Sequence, residues 1–292
     1  MILAPLRGVT VRCFRETFAD EIHAAGFTEA ITPFITANRG YDPLKDRELR
    51  NCLNVRMFEC SNADRIKVTP QFIGKGPEAL RECLLKVKGA GYDTADLNCG
   101  CPFPMVRNKG RGSGLLRSPD VLRRMLEVGC ETMGSCRFSI KARLGVDRPD
   151  ELLGLMPMIN EFPLRFLTVH ARTARQMYDG VCDAKGLEEV WKIAKVPIVI
   201  NGDIPFPPTG RFATLQIMIG RSFVRWLGSR EDSAELLRRY IAASQKELSG
   251  DRPVLGRLKE LIAYWKDLPR WQRRWSVIKI CRTVDELRAC LI

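Results

Sequence analysis

Eight short apolar, β-rich runs recur along roughly the first 230 residues of this chain, with helical segments between them. They are Ile2-Leu3-Ala4, Glu29-Ala30-Ile31, 68–73, 94–97, 138–142, 166–169, Ile198-Val199-Ile200 and 215–219. Strands that alternate with helices pair in parallel, because each helix carries the chain back to where the next strand begins. Eight such units in that length is the spacing of an α/β fold closed on itself, the (β/α)8 or TIM barrel. A doubly wound sheet fits less well, since the first run leads into Ala4-Pro5-Leu6-Arg7-Gly8 and not into a Gly-x-Gly-x-x-Gly turn. Segment 205–213 is too short and too rich in proline for a barrel helix, so that corner is expected to be irregular.

Polar or unusual residues cluster just after these runs: Arg7, Gln71, Cys101, Lys141 with Arg143, His170 with Arg172, Asn201 with Asp203, and Gly220-Arg221. In a barrel they all fall on the rim formed by the carboxyl ends of the strands, where active sites are built. The most distinctive stretch is Leu97-Asn98-Cys99-Gly100-Cys101-Pro102, followed by Val106, Gly110-Arg111-Gly112 and Leu115-Leu116. Gly100 and Pro102 turn the chain, and helical periodicity resumes over 115–128, so Cys101 is placed on a loop between strand and helix.

Beyond about residue 229 only helical patterns remain, which divides the 292-residue chain into a barrel domain, 1–229, and a small all-helical domain, 230–292. The inner face of the second is read as Leu236, Leu237, Tyr240, Leu255, Leu258, Leu261 and Ile262, and Thr283 with Glu286 forms a capping box. Its remainder is basic, and Arg270, Arg273 and Arg274 alternate with Trp271 and Trp275. That interleaving suits either a surface for phosphates and bases or tryptophans turned inward beneath a solvated basic face. The formal charge of +13 points toward a polyanion such as nucleic acid. Eleven cysteines without a Cys-x-x-Cys pair, together with only two histidines, read as reduced thiols and not as a metal site. No apolar run approaches the length needed to span a bilayer and no leader pattern opens the chain, so a cytoplasmic protein is expected.

These residues resemble the tRNA-dihydrouridine synthases. The strongest match is Asn98-Cys99-Gly100-Cys101-Pro102 with Val106, Gly110, Gly112 and Leu115-Leu116, which looks like that family's catalytic loop. Leu3-Ala4-Pro5, Gln71, Lys141-Ala142-Arg143-Leu144-Gly145, Val169-His170 with Arg172-Thr173, Asn201-Gly202-Asp203 and Ile219-Gly220-Arg221 add to it. The resemblance implies an FMN-dependent barrel that uses NADPH to reduce a uridine of tRNA to 5,6-dihydrouridine, with a hydride going to C6 from the flavin and a proton to C5 from Cys101. Cys99 is left a packing role.

The same resemblance gives the cofactor contacts to Pro5, Leu6, Arg7, Gln71, Lys141, His170, Asn201, Gly202, Asp203, Gly220 and Arg221, and the RNA contacts to Asn98, Arg143, Arg172, Arg257 and Lys259. The Cys99-containing loop and the tail from Arg257 look most like the bacterial C-type branch, which modifies position 16 of the D-loop. A monomer is expected. Two other readings stay open on the sequence: an FMN barrel reducing a small molecule, such as a dihydroorotate or dihydropyrimidine dehydrogenase, and a non-catalytic RNA-binding barrel.

Overall fold

The computed structural model describes residues 1–49, 57–59 and 65–291. Eight parallel strands form its centre: β1 (Ile2–Leu3), β2 (Glu29–Ile31), β3 (Arg65–Thr69, continued after Pro70 by Gln71–Ile73), β4 (Ala95–Cys99), β5 (Phe138–Gly145), β6 (Leu167–Thr173), β7 (Ile198–Asn201) and β8 (Ile217–Ile219). Each pairs with its successor, and β8 pairs with β1 through Ile2↔Met218 and Leu3↔Ile219. Pro70 has no N–H to give and so splits β3 in two, yet its carbonyl still accepts from Asp96 N at 3.0 Å and keeps the ring joined. The expected barrel is the fold observed.

Helices form where an apolar stripe follows a strong start. Pro119 stands at the first position of Pro119–Met133, Leu122, Met125, Leu126 and Met133 are buried, and Gly134 at φ +103° ends it. The link from β2 to β3 departs from the alternation. It holds a short strand, Ile35–Thr36, beside the second half of β3, a 3-10 turn, Pro43–Lys45, and a strand, Met57–Glu59, antiparallel to the first half of β3. The 205–213 corner carries only the 3-10 turn Gly210–Ala213.

Side chains alternate across each strand, so one set from every strand points to the barrel axis. Part of that interior is apolar, with Ala4, Ile31, Phe166, Val199 and Met218 in one cluster. The rest is polar and nearly as buried: Thr69, Gln71, Asp96, Ser139, Thr168 and His170 are each at most 5% exposed. A barrel core is normally filled by branched apolar residues, so this sector gives up packing for chemistry.

After the helix Arg221–Ser229, the helices Ser233–Glu247, Asp251–Ile262, Pro269–Ile278 and Val284–Ala289 share one apolar cluster with Leu3, Phe14, Phe18 and Phe223 of the barrel. All seven expected inner-face residues are buried. Trp265 and Trp271 are fully enclosed with ring centroids 4.8 Å apart, and their indole N–H groups donate to Val224 O at 2.7 Å and Gly228 O at 2.9 Å. Gly228 is required there, because a Cβ would lie 2.3 Å from the Trp265 ring. Trp271 is therefore an anchor and no base-stacking surface. Trp265→Ala should cost about 3–5 kcal/mol in urea unfolding, through the cavity and the orphaned carbonyl it leaves. No described helix is long and apolar enough to cross a membrane.

Candidate active site

Cys101 follows β4 on a loop held at both ends. Its N–H donates to Asn98 Oδ1 at 2.8 Å, and its carbonyl accepts from Ser113 Oγ at 2.8 Å and Ser113 N at 3.2 Å. Gly112 makes the return possible: it sits at φ +58°, and a Cβ there would come 2.8 Å from Cys101 Cβ. The thiol is 7% exposed. Burial pushes its pKa up, and the Phe103 N–H with the charges of Arg143, Arg7 and Lys141 offsets this only partly, so the thiol keeps its proton at neutral pH. Cys99 is a strand residue with no exposure, and burial raises its pKa further still, so it is a packing group.

Lys141 reaches across the interior from β5 and donates to Asn201 Oδ1 of β7 at 2.9 Å. Burial, and then the neighbouring Arg143, push its pKa down to about 7, against the pull of Asp96 and Cys101. In the strand register Lys141 stands opposite Asn98, whose Oδ1 holds the Cys101 N–H, so both side chains belong to the same end of the β4–β5 pair. Asn201 is aimed by its own amide, which donates to Met218 O at 2.8 Å. His170 is kept neutral by burial and by Lys141, Arg143, Arg172 and Arg221 around it. Its Nε2 lies 3.3 Å from Arg172 Nη1, which can only donate, so the proton belongs on Nδ1.

Gln71 and Asn98 are both satisfied inside the site. Gln71 Nε2 donates to Asp96 Oδ1 at 2.7 Å, and Gln71 Oε1 accepts from Asn98 Nδ2 at 2.8 Å. Arg143 donates to Gly100 O at 2.9 Å and Thr173 O at 2.8 Å, tying the β4 and β6 loops together, and its guanidinium lies 5.3 Å from the Tyr178 ring. Burial brings its pKa down to about 10.

At the other end of the mouth, Asp203 pairs with both Arg172 and Arg221, while Arg221 stacks 4.8 Å from Tyr178. Burial would raise the Asp203 pKa, but these arginines hold it below the usual range. Gly202, at φ +108°, clears His170 and the Cys182 thiol, where a Cβ would meet their atoms at 2.6 and 2.7 Å. Gly220 begins the helix Arg221–Ser229 with Ala4 and Leu6 against it, at 3.1 and 3.3 Å from a Cβ placed there. Leu6 is fixed by Thr10 Oγ1, which accepts from its N–H at 2.7 Å. Pro5 is partly buried just past β1, and exposed Arg7 lies 5.7 Å over Phe34.

Three of the residues expected to contact RNA have partners inside the fold. Arg257 is 7% exposed and pairs inward with Glu247 at 2.7 Å, on the same buried stripe as Val254 and Leu261. Lys259 donates to the carbonyls of Lys279 at 3.0 Å and Cys281 at 2.7 Å, closing the end of the helix Pro269–Ile278. Arg172, 2% exposed, spends its donors on Asp179, Gly180, Cys182 and Asp203. Each of the three thus has a structural part in the free chain. Asp96, Ser139, Thr168 and Tyr178 belong to the site and were not singled out in the sequence. Asp96 and Ser139 were within reach, two residues before Asn98 and Lys141 on neighbouring strands and so on the same face, whereas Tyr178 sits in a loop without any period.

Two polar groups of the interior are left with donors or acceptors to spare, as a polar-edged cofactor would need. Thr168 Oγ1, opposite Lys141 in the strand register, is fully buried with no partner among the described residues. Lys141, which has three N–H donors when charged, has one acceptor among them.

A family model described as dihydrouridine synthase (Dus) matches residues 2–225. A Helicobacter pylori protein named "Probable tRNA-dihydrouridine synthase" is 31% identical over 217 residues, covering 67% of this chain and 65% of its own length. The Vibrio cholerae protein named tRNA-dihydrouridine synthase B is 28% identical over 227 residues, 76% of this chain and 66% of that one. The chain thus spans about two thirds of these relatives. Among solved structures, TcOYE with pHBA aligns at TM-score 0.52 and 12% identity over 92% of this chain and 95% of that one. A variant of NCR from Zymomonas mobilis aligns at 0.50 and 15% over 77% and 82%. At such identities the likeness is one of fold.

Proposed function

Since this chain belongs to the dihydrouridine synthase family, we propose that it reduces a uridine of tRNA to 5,6-dihydrouridine. The observation that supports the reading is a buried, loop-clamped thiol, Cys101, three residues past Asn98, which stands opposite the part-buried Lys141 in the strand register. Cys101 would give its proton to C5 of the uracil. FMN, when bound, supplies the reducing equivalents and draws them from NADPH.

Lys141, Gln71, His170 and Asn201 would hold the flavin ring, and Thr168 would give it one more polar contact. Gly220, Arg221 and the backbone of 5–7 would hold its phosphate end. Lys141 is well suited to a place beside the ring, because near pH 7 it is only part-charged and an anion set next to it would favour the ammonium. Gly202 and Asp203 act by letting the loops close and by clamping Arg221. Arg143 and Asn98 frame the thiol, and Tyr178, 41% exposed, offers an aromatic face beside them.

We take the reaction to lie at position 16 of the D-loop, on the resemblance of the 97–116 loop to the C-type branch, and the protein to work as a cytoplasmic monomer. Residues 230–292 would serve as the tRNA-binding part. Arg252, Lys266, Arg273, Lys279 and Arg282 are among the exposed cations there, beside the expected Arg257 and Lys259. Arg273→Gln with Lys279→Gln should weaken tRNA binding and lower the log affinity against log salt slope by about one unit per lost phosphate contact, as filter binding at several salt concentrations would show.

The decisive experiment is to incubate the protein with unmodified tRNA, FMN and NADPH and map dihydrouridine by position. Product at position 16 supports the whole reading. Product elsewhere overturns the position alone, and a flavin-loaded protein that forms none overturns the function.

A further inference from the structure

Beneath the catalytic loop a chain of side-chain hydrogen bonds runs back through Asn98 and Gln71 to Asp96 and Ser139, two residues to which the proposed reaction gives no part. Ser139 Oγ donates to Asp96 Oδ2 at 2.7 Å, and Gln71 Nε2 donates to Asp96 Oδ1 at 2.7 Å. Asn98 Nδ2 donates to Gln71 Oε1 at 2.8 Å. Asn98 Oδ1 then accepts from Gly100 N at 3.1 Å and from Cys101 N at 2.8 Å. Asp96, Gln71 and Ser139 have no exposure, and Asn98 has 7%.

We propose that Asp96 is a positioning residue: its carboxylate at one end and the loop N–H groups at the other together admit a single direction of this relay, in which Asn98 turns its oxygen, and not its nitrogen, to the Cys101 N–H. A carboxylate only accepts, whereas a primary amide accepts at one end and donates at the other. Asp96 therefore compels Gln71 to present Nε2 to it and Oε1 to Asn98. Asn98 must answer with Nδ2, which leaves Oδ1 for the loop. The far end of the relay is a pair of peptide N–H groups that can only donate. With an acceptor fixed at one end and donors at the other, one arrangement satisfies every link. Turning either amide sets donor against donor and acceptor against acceptor in a dry interior, where unmet groups are costly.

Burial raises the Asp96 pKa to about 6, against the hydrogen bonds from Ser139 and Gln71 and the charge of Lys141, so at neutral pH the acceptor-only form prevails. Arg143 supports the same loop from the opposite side through Gly100 O. The Cys101 backbone is thus fixed by an amide whose remaining hydrogen bonds run back to Asp96, two side chains away. The catalytic weight of this arrangement rests on the reading of Cys101 as proton donor, but the relay itself can be tested without turnover.

The test is a cycle of Asn98→Asp, Asp96→Asn and their combination. Asn98→Asp still accepts from the loop but faces Gln71 Oε1 with oxygen, and Gln71 cannot turn without facing Asp96 with oxygen. The conflict should free the loop and raise the limiting rate of Cys101 alkylation by iodoacetamide about tenfold. Measuring the rate across pH separates this access effect from thiol acidity, and mass spectrometry of the peptide containing Cys101 assigns it. Asp96→Asn can keep the native direction by donating to Ser139 Oγ, so it should change the rate less than about threefold.

In the combined variant Gln71 is free to turn: the amide at 96 donates to Oε1, Nε2 donates to the carboxylate at 98, and every link is met. Its limiting rate should return to within about threefold of the native protein. A combined variant alkylated as fast as Asn98→Asp alone overturns the relay, whatever the enzyme assay gives. A native protein that passes this cycle but reduces no uridine overturns the functional reading and leaves the relay standing.

Discussion

Cys101→Ala is expected to slow dihydrouridine formation by about 10²–10⁴, the range a positioned general acid contributes. Reduction of the bound flavin by NADPH should be unchanged in the same variant, since the thiol takes no part in that half of the reaction. Single-turnover measurements of the two half-reactions separate these outcomes. The native thiol suits proton donation because burial outweighs the nearby cations and keeps the proton on sulfur until an acceptor comes within reach. Alanine leaves the loop intact, because the Asn98 and Ser113 bonds are made to the backbone of residue 101 and not to its side chain. A variant with full activity would remove Cys101 from the mechanism. Cys99→Ala is the control, since that thiol faces the core.

Lys141→Met should have opposite effects on stability and on chemistry. In the flavin-free chain the lysine titrates near 7, against its ordinary 10.5. Between those values the unfolded chain holds the proton and the folded chain has released it, so this group makes stability rise with pH across that window. Below pH 7 the folded state carries the full cost of a buried cation. Methionine removes that cost, so the flavin-free variant should melt higher at pH 7, less the loss of one hydrogen bond to Asn201, and its stability should flatten between pH 7 and 10.5. With flavin and substrate present, the loss of a fixed cation should lower the rate by about 10²–10³. Calorimetry over pH and stopped-flow flavin reduction check the two halves. Unchanged flavin reduction would contradict the role given to Lys141.

Much of this architecture could be read from residue order. The eight apolar runs became the eight barrel strands, and the run 68–73 was one strand even though Pro70 divides its hydrogen bonding. The rim residues were legible because they end strands, which is a statement about topology and needs no knowledge of side-chain contacts. What residue order could not show was partnership. Arg257 looked like a surface cation, yet it stands three residues after Val254 and four before Leu261, on the buried stripe, and Glu247 makes its burial tolerable. There, helical period decided and charge type did not. Asp96 was passed over because it stands inside a strand and not after one, and only the facing Gln71 and Ser139 explain how the interior accommodates it.

The tryptophan pair that locks the last four helices onto the barrel implies that this chain is not assembled from interchangeable parts. Trp265 and Trp271 reach back to carbonyls of Arg221–Ser229, so excising the tail would strip apolar cover from the barrel itself. Transplanting that tail onto an unrelated barrel should yield insoluble protein, and heating the native chain should give a single calorimetric peak. Any change of target among descendants of such a protein would have to arise by altering exposed side chains one at a time, with the whole scaffold inherited intact.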